Sequence, residues 1–504
     1  MNKPLLSLSS QNWLTGIAPY AHAEKGGLFF KADGVTPLYE AGVSQSTLNG
    51  LLMAGASGTV VGGSLNGNIL CSAVNPKGGA SRAYFGTSSG HIFYWAIDSG
   101  DTPPTGASLT DAHTAAAAVG GLATLQPVGG TSKLYYWQNT TIGDYDYTTF
   151  ADSGTFTSGG ATINLQYSRP VHKYFDSVLY GNGQGAIGEL QDDGASGVKN
   201  NTNALPNGIP ATTLASAIAD DGVYAVIAIT ANVAADPGVF GDTRVLFWDG
   251  FSNSWNKEFP IPDPFITKLI KTPVGVFAFG ITGIWQCSFT KGITKVFSRT
   301  PGLYVLGGVS TLIYGTAASY FNNAVIWGGT SGSVNVLKSL GELDITAPNA
   351  NLHPFLLTAG KNITFVNGQI LKGWILVGDD TPQLVAYPVS QTNVPQTGVS
   401  AQTVYLPLPY ETQITRIELV FGQPLAAGDA FNIQTKLSES DSAVTFDSCS
   451  YTNDGAIRRK VLTATLNPTP RANAQISFIL NWTGGAVKIK SIHVFGEYEI
   501  GKTE

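Results

Sequence analysis

Six histidines and three pairs of adjacent aspartates are the residues of this chain whose types could carry chemistry. Histidines can bind a metal or transfer protons, and two carboxylates held about 5–10 Å apart across a cleft can hydrolyse a glycosidic bond. The histidines are His22, His91, His113, His172, His353 and His493, and the pairs are Asp192–Asp193, Asp220–Asp221 and Asp379–Asp380. No two histidines lie within helical or hairpin reach in the sequence. A metal site would therefore need ligands from distant segments.

Each aspartate pair falls in a turn. Adjacent aspartates in one turn point in different directions and accept hydrogen bonds from local backbone N–H groups. The chain also contains no HExxH, GxSxG or P-loop motif. We therefore expect a non-enzymatic protein with no catalytic, cofactor or metal site.

Two loops and three cysteines carry weaker signals. DGFSN (Asp249–Asn253) and DSGDT (Asp98–Thr102) resemble fragments of calcium loops, but neither has the alternating acidic ligands and distal glutamate of an EF-hand. We interpret both as Asx turns. Cys71, Cys287 and Cys449 are far apart and form no CxxC pair, so we expect small buried apolar side chains.

One basic run and several aromatic residues could bind a partner. Arg458, Arg459 and Lys460 could hold a phosphate or an acidic surface, but such runs more often form a solvated strand edge that prevents edge-to-edge pairing. Tyr136, Trp255 and Tyr304 lie near turns and could stack on sugars if they are exposed.

The composition indicates which elements position these residues. Charged residues make up 12% of the 504 residues, while a typical soluble chain has roughly 25%, and the chain contains 60 glycines and 26 prolines. Long solvated helices need a charged outer face, and disordered chains lack apolar residues. The sequence therefore predicts an all-β protein.

A hairpin pattern recurs along residues 27–392. Each copy has a short aromatic or β-branched run, a turn of Gly, Asn, Asp or Ser, and a second apolar run. The copies are Ala83–Trp95, Leu134–Tyr147, Val178–Leu190, Val245–Phe259, Val276–Phe289, Val325–Leu337 and Trp374–Tyr387, with a looser eighth at Leu28–Ala41. Their turns lie roughly 30–70 residues apart, and most intervals are close to the roughly 40–50 residues of a four-stranded propeller blade.

We therefore predict a β-propeller of about seven blades, with six to eight allowed, because the copy at Leu28 could serve only to close the ring. Two short helices are predicted as excursions, at Ala211–Ala219 and Leu109–Gly120. Six tryptophans at similar places in their copies should fill the wedges between blades. They are Trp95, Trp137, Trp248, Trp285, Trp327 and Trp374.

The pattern changes after Pro388. Ser390–Thr403 is polar and lacks aromatic residues, which is typical of a linker or a crossing strand. Beyond it, apolar and polar residues alternate more cleanly, as in ITRIELVFG and VKIKSIHVFGEY. Such alternation favours strands with one buried face. The predicted domains are a propeller over residues 1–392, with an N-terminal closing segment, and a jelly-roll-like β-sandwich over residues 395–504.

The net charge of −6 argues against a global nucleic-acid-binding footprint. The N-terminal MNKPLLSLSSQNW lacks the apolar run of a signal peptide, and the sequence contains no apolar stretch of 18 residues. A surface-type composition without an export signal is explained by synthesis in the cytoplasm followed by release inside a virion, or by non-classical export.

Gly- and aromatic-rich hairpins followed by an alternating β domain resemble the structural proteins of tailed bacteriophages, above all propeller-bearing tail components such as nozzle proteins. SQNWLTGIAPY and KGGLFFKADGVTPLYEAG also resemble phage virion proteins. The resemblance covers nearly the whole chain, is one of architecture, and assigns no site residue. It implies a structural virion protein of the tail or head-to-tail region that forms a homo-oligomeric ring, contacts other virion proteins and lines the DNA exit path with only passive DNA contact.

Two other functions remain open on the sequence. The first is an adhesin or receptor-binding protein that attaches to a host surface glycan through exposed turn aromatics. The second is a propeller glycoside hydrolase, which would need a carboxylate pair across a cleft.

Overall fold

The structure is a computed structural model. The described residues are 4–9, 29–33, 35–38, 51–54, 58–77, 80–97, 109–138, 140–147, 150–157, 169–231, 243–263, 265–280, 282–297, 317–321, 324–328, 333–337, 352–357, 363–371, 374–388, 398–463, 471–485 and 487–498. DSGDT (98–102), Tyr304, His22 and the predicted linker up to residue 397 lie outside them.

These residues form 39 strands and one short helix. The N-terminal strands are β1 (Leu6–Ser9), β2 (Phe29–Asp33), β3 (Val35–Leu38), β4 (Leu51–Ala54) and β5 (Thr59–Gly62). The next are β6 (Ile69–Lys77), β7 (Ala80–Thr87), β8 (His91–Ile97), β9 (Thr110–Thr114), β10 (Gly121–Leu125), β11 (Lys133–Trp137), β12 (Thr141–Tyr145), β13 (Phe150–Thr157), β14 (Val171–Tyr174), β15 (Ser177–Gly181), β16 (Ile187–Asp192), β17 (Val198–Asn201) and β18 (Thr213–Asp220). They are followed by β19 (Ala225–Ala231), β20 (Arg244–Trp248), β21 (Lys257–Pro260), β22 (Ile266–Thr272), β23 (Gly275–Gly280), β24 (Ile284–Ser288), β25 (Gly292–Phe297), β26 (Ala318–Phe321), β27 (Ala324–Gly328), β28 (Ser333–Leu337), β29 (Leu352–Leu357), β30 (Ile363–Asn367), β31 (Trp374–Asp379) and β32 (Gln383–Pro388). The C-terminal elements are β33 (Val399–Thr403), β34 (Leu406–Phe421), β35 (Ala430–Lys436), β36 (Val444–Ser450), α1 (Tyr451–Asp454), β37 (Arg459–Thr463), β38 (Arg471–Gly484) and β39 (Lys488–Tyr498).

Strands β5 to β32 form a seven-bladed propeller, which confirms the predicted fold class. Six blades are antiparallel meanders of four consecutive strands, β6–β9, β10–β13, β14–β17, β18–β21, β22–β25 and β26–β29. The seventh consists of β30, β31 and β32 with β5 as its outermost strand. The first strand of each blade contacts the first strand of the next, and β30 contacts β6, so the inner strands close a ring.

The seven clear hairpin copies are real hairpins within these blades. Six join the second and third strands, whereas Val245–Phe259 joins β20 and β21, the third and fourth strands of its blade. Because this hairpin comes one strand later in its blade than the others, the interval between its turn and the turn of the preceding copy is longer. In the described part of the eighth copy, Leu28–Ala41, β2 and β3 do not pair with each other as a hairpin would, because β2 pairs with β33 and β3 pairs with β4.

Tryptophans fill the wedges between neighbouring blades, as predicted. Trp137 lies against Tyr180 of the next blade with ring centroids 5.6 Å apart, and Trp327 lies against Phe279 of the preceding blade at 5.8 Å. Their positions are not equivalent, however. Trp137, Trp327 and Trp374 lie on second strands, whereas Trp95, Trp248 and Trp285 lie on third strands.

Both predicted helices are wrong. Ala211–Ala219 contributes most of β18, and Leu109–Gly120 contains β9 followed by turns. β18 is the inner strand of its blade, and its small side chains Ala215, Ala217 and Ala219 are buried where neighbouring blades crowd at the axis. Packing there overrides the helical propensity of alanine.

Strands β33 to β39 form a β-sandwich together with β1 to β4. The long strand β38 pairs with β34 along its first half and with β33 and β35 along its second half, so it connects the two layers. One buried cluster fills the space between the layers and includes Ile417, Phe431 and Trp482.

The N-terminal strands β1 to β4 do not belong to the propeller, although the predicted propeller domain began at residue 1. β1 pairs with β39, where Leu8 lies opposite Ile492 and joins the sandwich core. β2 pairs with β33, and β4 pairs with β39. Of the N-terminal strands, only β5 belongs to the ring. The alternating apolar residues of β1 are buried by the sandwich rather than by a blade, and this places the segment there.

Candidate functional site

A cavity of about 570 Å³ lies on the propeller axis and is bounded by the inner strands of all seven blades. This volume is within the roughly 300–1,000 Å³ of ligand-binding pockets. Each of the seven blades contributes lining residues. One from each, in blade order, is given by Ser72, Leu122, His172, Ser216, Lys268, Ser319 and Asn367.

The lining is basic. Arg169, His172, Lys268 and Lys271 line the cavity, and none of its described lining residues is a carboxylate. Burial lowers the pKa of Arg169 to about 10 and also lowers the pKa of Lys268. In both cases the cause is the cost of keeping a charge away from water.

Lys268 of the fifth blade and Cys71 of the first blade both line the cavity, and the two groups interact electrostatically. The Cys71 thiol donates a hydrogen bond to the carbonyl of Val119 at 3.3 Å. Burial raises the pKa of Cys71 to about 12, so this thiol is neutral near pH 7 and supplies no counter-charge to Lys268.

An ion cluster lies at the end of the cavity where the inner strands finish. Asp220, the last residue of β18, contacts His172 Nε2 at 2.7 Å through Oδ2 and Lys271 Nζ through Oδ1. Burial alone would raise the pKa of Asp220, but hydrogen bonds and charges from His172 and Lys271 outweigh it and lower the pKa to about 2.

This cluster predicts an acid-sensitive contribution to stability. A carboxyl whose folded-state pKa lies below its unfolded value stabilises the fold above the unfolded pKa and loses that contribution as the pH falls through the folded pKa. For Asp220 the window is about pH 4 to 2, and its contribution is about 2 kcal/mol. We expect Asp220→Asn to remove that part of the pH dependence, measured by urea unfolding at several pH values.

Asp221→Asn is the matched control, because Asp221 accepts hydrogen bonds from the Val223 and Tyr224 amides of its own turn and, among the described residues, forms no ion pair. An unchanged pH profile in Asp220→Asn would contradict the assignment.

The other aspartate pairs behave as the turn interpretation predicts. Asp192 accepts from the amide of Gly194 in its own turn and also, beyond the prediction, from that of Val128 in the preceding blade, and Asp193 accepts from those of Ala195 and Gly197. Asp379 accepts from the amide and hydroxyl of Thr381. No two of the three pairs come from one blade.

Asp249 of DGFSN is the centre of an Asx turn. Its carboxylate accepts from the amides of Phe251 and Ser252 and from the Asn256 side chain. Burial opposes ionisation of Asp249, but these hydrogen bonds outweigh it and lower the pKa of its carboxyl. The loop therefore uses its acidic residue to fix the turn.

The histidines are dispersed. His91 contacts Asp111 at 2.7 Å on the first blade, His493 contacts Ser7 at 2.9 Å in the sandwich, and His113 lies against Tyr136. His353 lies on β29. Among the described residues, no three His, Cys, Asp or Glu side chains come together as ligands for one metal ion.

Two residues of the basic run form ion pairs in the sandwich. Arg459 makes a bidentate contact with Glu418, at 2.6 and 2.7 Å, and Lys460 pairs with Asp454 of α1. β37, where Arg459 and Lys460 lie, pairs only with β34 among the described strands. The run therefore lies on an edge, as interpreted.

Two of the three aromatic residues named as candidate sugar-stacking groups, Tyr136 and Trp255, are not exposed platforms, and the third, Tyr304, lies outside the described residues. Tyr136 is fully buried, because its ring lies over Gly143 of the next strand, where a Cβ would be 2.1 Å from the ring. Trp255 is half-buried against its own blade cluster.

A different set of apolar residues is exposed on one face of the propeller. We define the lower face as the end formed by turns between first and second and between third and fourth strands of each blade. Phe175, Val223 and Phe251, which we call the lower-face patch, are 63%, 63% and 89% exposed. Sequence reasoning missed them because it looked for tyrosine and tryptophan, although FSNS and YFDS show phenylalanine in turns.

Tyr174 holds the three turns of the lower-face patch together. Its ring contacts Phe175 at a centroid distance of 4.6 Å, and its hydroxyl donates to the carbonyl of Val223 at 2.7 Å. Gly250 has φ of 84°, and a Cβ there would lie 2.8 Å from Cε1 of Tyr174. The absence of a side chain at Gly250 therefore lets the Phe251 turn approach the other two.

Comparison with solved structures finds propeller domains. The chain is similar to the β-propeller domain of Cps50 (Swd1) from Myceliophteria thermophila, with 12% identity, a TM-score of 0.43 and coverage of 65% of this chain and 98% of that one. It is similar to the WD40 propeller domain of Doa1, with 12% identity, a TM-score of 0.43 and coverage of 67% and 98%. The chain is also similar to BBS1N, solved in complex with ARL6DN, with 12% identity, a TM-score of 0.42 and coverage of 68% of this chain and 97% of that one.

No protein family model matches the chain, and no curated protein matches it. The described residues include no helix that is long and apolar enough to span a bilayer. The chain is an all-β protein in which a seven-bladed propeller is joined to a β-sandwich.

Proposed function

We propose that the chain is a non-enzymatic structural component of a phage virion, in the tail or head-to-tail region, and that it assembles through the lower face of its propeller. The observation that carries this proposal is the lower-face patch. Three large apolar side chains, Phe175, Val223 and Phe251, are held together and turned toward solvent. Contiguous exposed apolar surface on a folded protein marks an interaction site.

The position of the patch suits an assembly contact. It spans the turns of two neighbouring blades, β14–β17 and β18–β21, and Val128 in a turn of the blade before them is also exposed. Aromatic residues are enriched in the buried cores of protein interfaces, and charged residues are depleted. A ring of copies would bury this surface and remove its cost in water.

The described cavity does not favour glycoside hydrolysis. That reaction needs two carboxylates on opposite sides of a substrate, and the described lining contains basic and neutral side chains instead. The adhesin alternative depended on exposed turn aromatics such as Tyr136, which is buried, so among the described residues it would rest on Phe175 and Phe251 of the lower-face patch.

We expect the double substitution Phe175→Ser and Phe251→Ser to abolish self-assembly without unfolding the propeller. Both side chains are largely exposed, so their loss removes interface area but little core packing. Light scattering and negative-stain imaging of the wild type should give ordered oligomers, and the variant should give a monomer near 53 kDa.

Val461→Ser is the control, because Val461 is an exposed valine on a strand of the sandwich. It should assemble as the wild type does. A monomeric wild type that also fails to join particles from an infected host would overturn the proposal, as would a double variant that assembles normally.

A further inference from the structure

We propose that the central cavity of the propeller binds a small oxyanion, with a phosphate or carboxylate group held by Lys268. This inference is independent of the assembly role proposed above, because the cavity lies on the axis and the lower-face patch lies on turns.

The first step of the argument is the surroundings of Lys268. It is the third residue of β22, an inner strand whose neighbours Ile266, Leu269 and Ile270 are apolar and buried. Among the described residues no carboxylate forms an ion pair with it. Lys268 itself is partly buried, and a charge withdrawn from water normally has a partner, because desolvating it alone costs several kcal/mol.

The second step is the balance of charge along the axis. At the end of the cavity nearest the lower face, Asp220 already forms ion pairs with His172 and Lys271, so it is not the counter-ion of Lys268. Arg169, just before β14, adds a guanidinium charge to the same cavity. The described lining therefore carries more positive than negative charge.

The third step is the presence of neutral donors on the wall. Asn367 Nδ2 donates to Ser72 Oγ at 3.3 Å across the junction between the seventh and first blades. Since the Ser72 oxygen accepts that bond, its own proton is available to an oxyanion. Ser72 also follows Cys71, the residue that interacts with Lys268. Oxyanion sites combine a charged donor with neutral donors in this way.

Lys268 is therefore expected to cost stability when the cavity holds only water. Lys268→Met keeps the length of the side chain and removes the charge, so it should unfold at the same or a higher temperature than the wild type in chloride buffer. Binding residues often trade stability for function in this manner.

The test measures Tm of the full chain by calorimetry in increasing inorganic phosphate, with sodium chloride adjusted to constant ionic strength. A ligand that binds only the folded state raises Tm with its concentration. We expect a rise for the wild type and none for Lys268→Met, which corresponds to at least a roughly tenfold weaker apparent affinity. A parallel titration with succinate tells a phosphate site from a carboxylate site.

Lys199→Met is the matched control, because Lys199 is an exposed lysine on the outermost strand β17 of its blade. It should respond to phosphate as the wild type does. An equal rise in wild type and Lys268→Met would place binding elsewhere and overturn the proposal, as would no rise in the wild type with either anion.

Should Lys268→Met fail to fold, Lys268→Gln and equilibrium dialysis of phosphate against the wild type decide it, with one bound anion per chain expected.

Discussion

Val61→Asp is expected to lower the free energy of unfolding of the propeller by about 4 kcal/mol or more. Val61 lies on β5, is fully buried, and packs in the cluster that joins the seventh blade to the first, with Phe85 and Leu376 among its members. A carboxylate there would be buried without a partner, which is one of the few mechanisms that produce losses of this size. Urea unfolding followed by tryptophan fluorescence measures the loss.

The same substitution one residue earlier is the control. Val60 is 42% exposed on the same strand, so Val60→Asp should cost less than about 1.5 kcal/mol. Hydrogen exchange should show lost protection of β30 to β32 in Val61→Asp alone, because β5 pairs with β32. Equal stability of the two variants would mean that β5 does not hold the ring closed.

Trp327→Ala is expected to cost about 3–5 kcal/mol, the range for removing a fully buried aromatic side chain. Trp327 fills the wedge between the fifth and sixth blades, where it packs with Phe277 and Phe279. Truncation leaves a cavity that two rigid sheets cannot close. Thermal and urea unfolding of the variant measure the cost.

Trp374→Ala is the comparison, since Trp374 is half-buried at the edge of its cluster and should cost clearly less. Trp327→Phe should recover part of the loss, because the smaller ring still fills much of the wedge. A loss at Trp327 no larger than that at Trp374 would contradict the proposed role of the wedge.

The propeller was predictable because its signal is local. A hairpin is specified by two apolar runs and the turn between them, and seven such units at blade spacing leave few alternative folds. The helices at Ala211–Ala219 and Leu109–Gly120 were wrong for the opposite reason. Their alanines suit a helix locally, but only the crowding of inner strands at the axis decides between helix and strand.

The candidate sites were not predictable in this way. Lys268 reads as an ordinary polar residue in ITKLIKT, and its place in the cavity lining depends on strands of other blades, such as β6 with Cys71, nearly 200 residues earlier in the sequence. The lower-face patch likewise depends on Tyr174, which brings two blades into contact. Conversely, the acidic turns were candidate catalytic sites because of their composition. Most of their carboxylates accept hydrogen bonds from backbone amides of the same turn.

The pairing of β1 with β39 has a consequence for biosynthesis. Leu8 lies opposite Ile492, so the first strand of the sandwich leaves the ribosome long before its partner exists. At roughly 5–20 residues per second, the interval is on the order of 25–100 seconds. During that time all seven blades can form, while β1 to β4 lack the strands that cover them. Loops of this length also slow folding, because their closure entropy is lost before any contact is gained. The nascent sandwich strands are therefore the part of this chain that most needs protection by a chaperone.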